Sequence, residues 1–359
     1  MIYSKVAYCS VKHTQNTGGI SKYFIENSNH FYLYIYPSSY KNEPSFFAYY
    51  LNGILIDSKN KFFYRGKSKM LINLFYLINF FYFILIFKIN NTDIIVNYPF
   101  LLFFSGFQSF FTKNRIIFWI WDYFPSKSGT MKFYHLLVNW YKRRVNRVVF
   151  LSSDLKKIYC PETSEDDVIT FGVLNKKVKR MPQKNLIGFL GSMKPGSGIE
   201  SVIDAMVINK NIKLEIIGEG SSRQDVEKYV RKMRVNNRVF FYGFLRDNQL
   251  EKIISRWAIG MAIYDVSKES ITHFTDPSKV KFYIENEIPI VMSKISYFQK
   301  VLPRAGAGIV IKPTAESIIS AIKAINKDYE KYAKGVVLLK KELDYSKKYE
   351  NNFEFLCHS

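Results

Sequence analysis

Between Ile187 and Met292 one local pattern recurs four times: a short apolar run, a turn, and a stretch of helical period. The runs are IGFL, KLEII, RVFFY and AIGMAIY, and three of them close on glycine, at Gly191, at Gly218 with Gly220, and at Gly243. Strands that alternate with helices are returned to the same edge of the sheet each time, so they pair in parallel. A parallel strand is covered on both faces and reads as an unbroken apolar run, as IPIVM from Ile288 to Met292 does. This order confines the segment to an α/β sheet whose turns gather along one edge.

The stretch before IPIVM carries the chemistry. Pro277 ends what precedes it, and Ser278 is placed to cap a helix with Val280, Tyr283 and Ile284 on one face and Lys279 and Lys281 near its start. Open N–H groups at a helix start, with a hydroxyl and an ammonium beside them, form a seat for a diphosphate. The glycine turn GSMKPGSG offers similar features, since Gly191 permits close backbone approach and Lys194 brings charge. It is not a Walker loop, since neither GKS nor GKT follows. The plain alternative is a surface helix that leads into a core strand.

At 359 residues, nearly half of them apolar, the chain is long enough for two domains. The polar run Asn175 to Lys184 reads as a linker, which leaves 1–174 and 185–335 as the domains. In the first, KVAYCSV is a strand that turns through Gly18 and Gly19 into a helix, and Phe31 to Phe63 gives two or three strands. Met70 to Lys88 is the most apolar stretch and reaches the length of a membrane-crossing helix. Asn73 and Asn79 interrupt it and a sheet strand follows at once, so it reads as a buried helix that dips into a membrane surface. Arg115 to Pro125 is a strand that delivers Asp122 to its C-terminal end, where ligands of open α/β sheets gather. Trp119, Trp121, Tyr123 and Phe124 around it raise its pKa and Lys127 lowers it; a loop or N-cap aspartate is the plain alternative. Helical period then runs from Lys132 through NWYKRRVNRVV, before a strand VVFLSS and a helix start at Asp154. Arg143, Arg144 and Arg147 beside Trp140 and Tyr141 form either a solvated basic face or a membrane contact.

Charge narrows the partners. Fifty-two Lys and Arg against 30 Asp and Glu give a net charge of +22, which attracts polyanions. No zinc finger, RNP-like strand or helix-turn-helix pattern appears, so nucleic acid is not expected and an anionic membrane surface or a phosphorylated substrate is. Cys9, Cys160 and Cys357 lie far apart with no CxxC spacing, which argues against a zinc site and a disulfide framework and for a reducing cytoplasm. MIYSKVAYCS shows no apolar signal region, so secretion is not expected.

The segment from Pro277 resembles the donor-binding stretch of nucleotide-sugar glycosyltransferases of the GT-B fold, family 4 in particular. Pro277, Ser278, Lys279, Tyr283, Pro289 and Ile290 fall on that family's pattern. Phe282 stands where its second ribose-binding glutamate is expected, and Glu287 where its glycine is. Gly191, Ser192 and Lys194 match its phosphate loop, although Ser197 replaces a second lysine. The order of the Gly218 to Gly220 turn and the Gly243 turn matches as well, and Asp93 to Ile95, VVFLSS and the tail DYSKKYENNFEFL resemble pieces of its N-terminal domain and final helix.

The resemblance implies an α/β chain of two Rossmann-like domains facing a cleft, with residues 336–359 returning to the first. It implies donor contacts at Gly18, Gly19, Gly191, Ser192, Lys194, Gly218, Gly220, Tyr242, Gly243, Phe244, Pro277, Ser278, Lys279 and Tyr283, the nucleobase lying at Tyr242 to Phe244. Asp122 and Glu269 are the catalytic candidates, with His273 as a further loop candidate. No metal and no other cofactor is implied, since the seat itself holds the leaving diphosphate. The reaction expected is transfer of a sugar from a nucleoside-diphosphate sugar to a saccharide or lipid-linked acceptor of surface polysaccharide assembly. The site expected is the cytoplasmic face of a membrane. Retention is implied by family 4; an inverting glucuronosyltransferase-like enzyme, a nucleotide-sugar epimerase and a non-enzymatic basic membrane- or RNA-binding protein are the alternatives.

Overall fold

A computed structural model describes residues 2–11, 19–36, 45–61, 69–102, 112–123, 129–161, 167–245, 247–264, 266, 274 and 276–356. The chain divides into two compact units, Met1–Gly172 with Tyr345–Ser359, and Val173–Asp344.

The first unit is built on seven strands: β1 (Tyr3–Val11), β2 (Ser28–Tyr36), β3 (Ser45–Leu51), β4 (Ile54–Lys61), β5 (Asp93–Val96), β6 (Arg115–Ile120) and β7 (Arg147–Phe150). They lie in the order β4-β3-β2-β1-β5-β6-β7. The five from β2 to β7 across β1 are parallel, while β3 and β4 add an antiparallel hairpin. Its turn is Asn52-Gly53, both at positive φ (48° and 81°), the conformation whose twist matches a tight hairpin.

Helix α1 (Ile20–Asn27) connects β1 to β2, α2 (Lys69–Ile86) connects β4 to β5, and α3 (Gly129–Tyr141) connects β6 to β7. α4 (Ser153–Tyr159) follows β7. Right-handed crossovers put α2 and α3 on one face of the sheet and α1 on the other. A single 3-10 turn, Pro99–Leu101, packs against both α2 and α3. α2 buries Ile72, Tyr76, Phe80, Phe83 and Ile84 against β2 and β3. Its 18 residues span roughly 27 Å, and both flanking strands belong to one sheet, so it packs along the sheet. Among the described residues no helix is long and apolar enough to cross a membrane.

The helical stretch expected to run through NWYKRRVNRVV stops at Tyr141. Asn146 exchanges bonds with Ile116, its backbone N–H donating to the carbonyl and its Oδ1 accepting from the N–H. That pairing pulls Arg147 into β7, where it meets Asp167 at 3.1 Å and lies over Phe355. Sheet pairing has overridden a helical period.

The second unit holds a six-stranded parallel sheet in the order β10-β9-β8-β11-β12-β13. The strands are β8 (Gln183–Leu190), β9 (Lys213–Ile217), β10 (Val239–Gly243), β11 (Trp257–Ala262), β12 (Ile290–Ser293) and β13 (Gly308–Ile311). Helices α5 (Ile199–Ile208), α6 (Arg223–Lys232), α7 (Asp247–Ile254), α8 (Ser278–Glu285), α9 (Phe298–Ala305), α10 (Ala315–Lys327) and α11 (Tyr329–Glu342) cover its faces. From β8 the chain steps outward through β9 to β10 and then jumps back to β11 on the other side of β8. The switch point therefore lies between the C-terminal ends of β8 and β11.

Two glycines shape this core. A Cβ on Gly188 of β8 falls inside the Trp257 ring, and one on Gly260 of β11 meets the Tyr283 ring at 2.6 Å. Each glycine is the notch that lets an aromatic ring lie flat on the sheet. Trp257 then reaches the buried Glu215 on β9, donating at 2.7 Å, and Arg256 and the Tyr242 hydroxyl complete that carboxylate's shell. The polar run 175–184 is tied to this unit. The Arg180 guanidinium donates to the carbonyls of Ile254 and Trp257, and Lys340 donates to the carbonyl of Lys176.

The last helix, α12 (Tyr345–Asn352), belongs to the first unit, while 336–344 fall in α11 and its end in the second. Tyr349 packs edge-on against Tyr23 of α1, and its hydroxyl accepts from Gly172 N–H at 3.0 Å. Phe353 meets Phe24 with ring centres 5.1 Å apart.

Candidate functional site

Three glycine turns stand side by side where β8, β9 and β10 end. Gly191 (φ 129°), Gly218 (φ 133°) and Gly243 (φ 66°) all adopt backbone that side chains rarely reach. Gly191 N–H donates to the Ile217 carbonyl, and Gly218 N–H to that of Gly243 at 2.7 Å. A Cβ on Gly218 would lie 2.1 Å from the Gly191 carbonyl oxygen, and one on Gly220 would lie 2.0 Å from that of Met193. The sequence places glycine here because adjacent loops touch backbone to backbone, and the result is an edge of main chain rather than side chain. Gly243 is closed on one side by the Glu219 carboxylate, 2.8 Å from where its Cβ would be. That carboxylate is held by Arg223.

Beside this edge stands α8. Its N-cap is Pro277, with no side chain bonded to the first turn, so the helix presents open amides. Ser278 was expected to be that cap; it is the first helical residue and is exposed, because proline's fixed φ already ends the preceding chain. Lys279 reaches back along the helix toward Gly191, whose Cβ would sit 3.4 Å from its Cε. Its ammonium lies 3.6 Å from the centre of the Phe189 ring and 5.0 Å from that of Tyr264. Loss of water, with the Lys194 ammonium nearby, brings its pKa down to about 7. Among the described residues no carboxylate pairs with it. By contrast Lys281 is buried against Asp276 and contributes no charge to an incoming anion.

Tyr283, expected to touch the donor, is fully buried. Its hydroxyl accepts from Leu190 N–H at 3.1 Å and donates to the Met261 carbonyl at 3.0 Å, so it clamps β8 to β11 beneath the site. Correct spacing in the sequence cannot tell a ligand contact from a strut one layer below. Tyr242 spends its hydroxyl on Glu215, whereas Phe244 is 64% exposed just past Gly243. Ser192 and Lys194 are exposed on the β8–α5 turn. The aromatic walls Phe189 and Tyr264 were not foreseen, and a strand-end aromatic next to the glycine turn is the signal that could have found them. Gly18, Glu269 and His273 lie outside the described residues. Gly19, in left-handed backbone at φ 71°, is the N-cap of α1 in the first unit.

Asp122 follows β6 in the first unit and is half-buried. Burial alone raises its pKa to about 6; burial also raises the hydroxyls of Tyr134 and Tyr159, and the Asp122 charge adds to it. Phe124 and Lys127, expected to act on it, lie outside the described residues. His135 packs on Tyr123 at a tilt, ring centres 4.8 Å apart, and its Nδ1 shares a 2.7 Å hydrogen bond with the Tyr159 hydroxyl. Among the described residues no group of three His, Cys, Asp or Glu side chains is placed to hold a metal ion.

Residues 173–336, nearly all of the second unit, match the family Glycosyl transferases group 1. No curated protein matches the chain in sequence. Among solved structures, the sucrose-phosphate synthase of Thermosynechococcus elongatus has a TM-score of 0.72 at 12% identity, each chain covered to 99%. Anabaena HepE in complex with UDP-glucose has a TM-score of 0.69 at 13% identity, with 98% of this chain and 100% of that one covered. The apo lipopolysaccharide outer core galactosyltransferase WaaB has a TM-score of 0.62 at 13% identity over 97% and 99%. These likenesses are of fold, and the fold is GT-B.

Proposed function

From the GT-B fold and the match of residues 173–336 to glycosyl transferases group 1, we infer that this chain is a glycosyltransferase that moves a sugar from a nucleoside-diphosphate sugar to a saccharide or lipid-linked acceptor in surface polysaccharide assembly. The observation that carries this is the seat at Gly191 and α8. A desolvated ammonium that no carboxylate among the described residues pairs with stands beside Gly191 at the uncapped start of α8, and a diphosphate supplies a counter-charge to it. The pyrophosphate is held by the amides of α8, Ser278, Lys279 and Lys194, and the nucleobase lies along Gly243 with Phe244 beside it. Glu269 and the Gly18–Gly19 turn serve the sugar. UDP is the nucleotide to try first, since HepE is solved with UDP-glucose.

Retention of the anomeric configuration follows from the family resemblance. One observation favours the second reading, inversion: Asp122, with a pKa near 6, is suited to remove the acceptor's hydroxyl proton at neutral pH. The enzyme works on the cytoplasmic side of a membrane as a peripheral protein.

The test is a thermal-shift screen of the purified chain against nucleoside diphosphates and nucleotide sugars, followed by turnover. A ligand bound at a hundred times its Kd stabilises the fold by about 2.7 kcal/mol. UDP release from the matching donor is expected only when an acceptor extract is present. Donor converted to an epimer without acceptor would overturn the transfer reading in favour of an epimerase.

A further inference from the structure

We propose that the outer faces of α2 and α3 form a single seat for an anionic lipid bilayer. The proposal rests on the reading of a lipid-linked acceptor for its purpose, and on the surface itself for its argument. α3 is apolar on two sides. Tyr134, Val138 and Tyr141 face the sheet and are buried, while Phe133, Leu136 and Trp140, at i, i+3 and i+7, are 50%, 64% and 47% exposed. A helix that only closes a sheet needs one apolar stripe; this one has a second, turned to solvent.

α2 repeats the arrangement, with Leu74, Ile78 and Leu85 exposed in register along its length. The two helices lie on the same face of the sheet, and the Pro99–Leu101 turn touches both, with Phe100 packed on Phe133 at 6.0 Å. That turn bridges the two helices on this face.

Its rim is cationic. Gly129 to Asn146 contains Lys132, Arg143 and Arg144, with Lys142 donating to the Tyr159 carbonyl, and no acidic residue. Arg144 lies 4.0 Å over the Trp140 ring and donates to that residue's carbonyl, which holds the guanidinium at the level of the indole. An aromatic and aliphatic stripe bordered by basic residues fits the acyl boundary below anionic headgroups. It does not fit a second copy, because a two-fold interface would bring these cations against their own equivalents.

The experiment is co-sedimentation of the full chain with vesicles of equal parts phosphatidylglycerol and phosphatidylcholine, against vesicles of phosphatidylcholine alone. We expect binding to the anionic vesicles, a blue shift of tryptophan emission absent from Trp140→Phe, and at least a tenfold loss of binding in Leu136→Ser with Trp140→Ser. Arg143→Gln with Arg144→Gln weakens binding by roughly tenfold or more. Each variant is checked for folding by the UDP-induced thermal shift, which none of these changes touches. Equal binding to both vesicle types, or retention of binding by the Leu136 and Trp140 variant, overturns the proposal. So does a concentration-dependent dimer that the same changes abolish. A chain that answers to UDP yet ignores vesicles loses only this proposal, and one that binds vesicles but no nucleotide loses only the transfer reading.

Discussion

Lys279 in the second unit and Asp122 in the first are both ionisable groups set among aromatic rings, and the protein pushes each toward its neutral form. The lysine is brought down to about 7 and the aspartate up to about 6. They differ in what surrounds them. Lys279 stands beside bare backbone, with no side chain on Gly191 and none capping the first turn of α8. Asp122 stands among hydroxyls, near Tyr134 and Tyr159. The first arrangement gains from an arriving anion, and the second gains from an arriving proton. One is suited to hold a leaving group and the other to accept from a nucleophile.

Removing the anion seat tests the lysine half of that contrast with the largest effect. Ser278→Ala with Lys279→Ala is expected to lower acceptor-dependent UDP release by at least about 10³-fold, since single lost donors at such seats cost about 10²–10³. Unchanged turnover would leave the seat without a role. Asp122→Asn tests the other half. If it removes the acceptor proton, turnover falls by roughly 10²-fold or more and the wild-type rate drops as pH is lowered through about 6. A loss below about tenfold with a flat acid limb assigns Asp122 to acceptor binding and keeps retention.

The lysine also has a pH signature of its own. Lys279 is charged below about 7 and neutral above it in the unliganded protein. UDP affinity is therefore expected to fall as pH rises past that value, by about tenfold over two units. Lys279→Arg stays charged and should flatten the curve, read by titration calorimetry. If both proteins respond alike, the titrating group lies elsewhere. Tyr283→Phe probes the layer beneath. It leaves Leu190 N–H and the Met261 carbonyl without their partner, so a stability loss of about 1–3 kcal/mol is expected with UDP affinity unchanged. A selective loss of affinity would return Tyr283 to the donor site.

The second unit was more legible than the first because its signals are local. A parallel strand ended by glycine is visible in six or seven residues, as in IGFLGS and FFYGF, and the sheet needs glycine wherever neighbouring turns meet backbone to backbone. What could not be read depends on residues brought together from far apart. The Glu215, Arg256 and Trp257 cluster spans two strands that are not neighbours in the sequence, and the notch at Gly188 has meaning only once Trp257 lies on it. Asp276 pairing with Lys281 is local but equally silent, since five residues apart is no helical spacing. Asp122 was legible for a simpler reason, standing at the end of an apolar strand. Its tyrosines come from α3 and α4, and no spacing announces them.

The smallest expected effect is on stability and follows from the same two strained groups. Asp122 has an ordinary pKa of 3.8 and a folded value of about 6, so the folded state binds its proton more tightly than the unfolded chain does. Its contribution to stability is fully present below 3.8 and is lost as pH rises through about 6. At pH 7.5 and above, the wild type holds a carboxylate where burial disfavours charge, and Asp122→Asn removes that charge without changing shape. The variant should melt roughly two degrees higher than wild type near neutral pH, and the advantage should shrink to nothing as the acid limb is approached. Calorimetric scans across that range decide it. A variant that melts lower at neutral pH would mean the carboxylate is satisfied in the folded protein, and the contrast with Lys279 would fail on the acidic side.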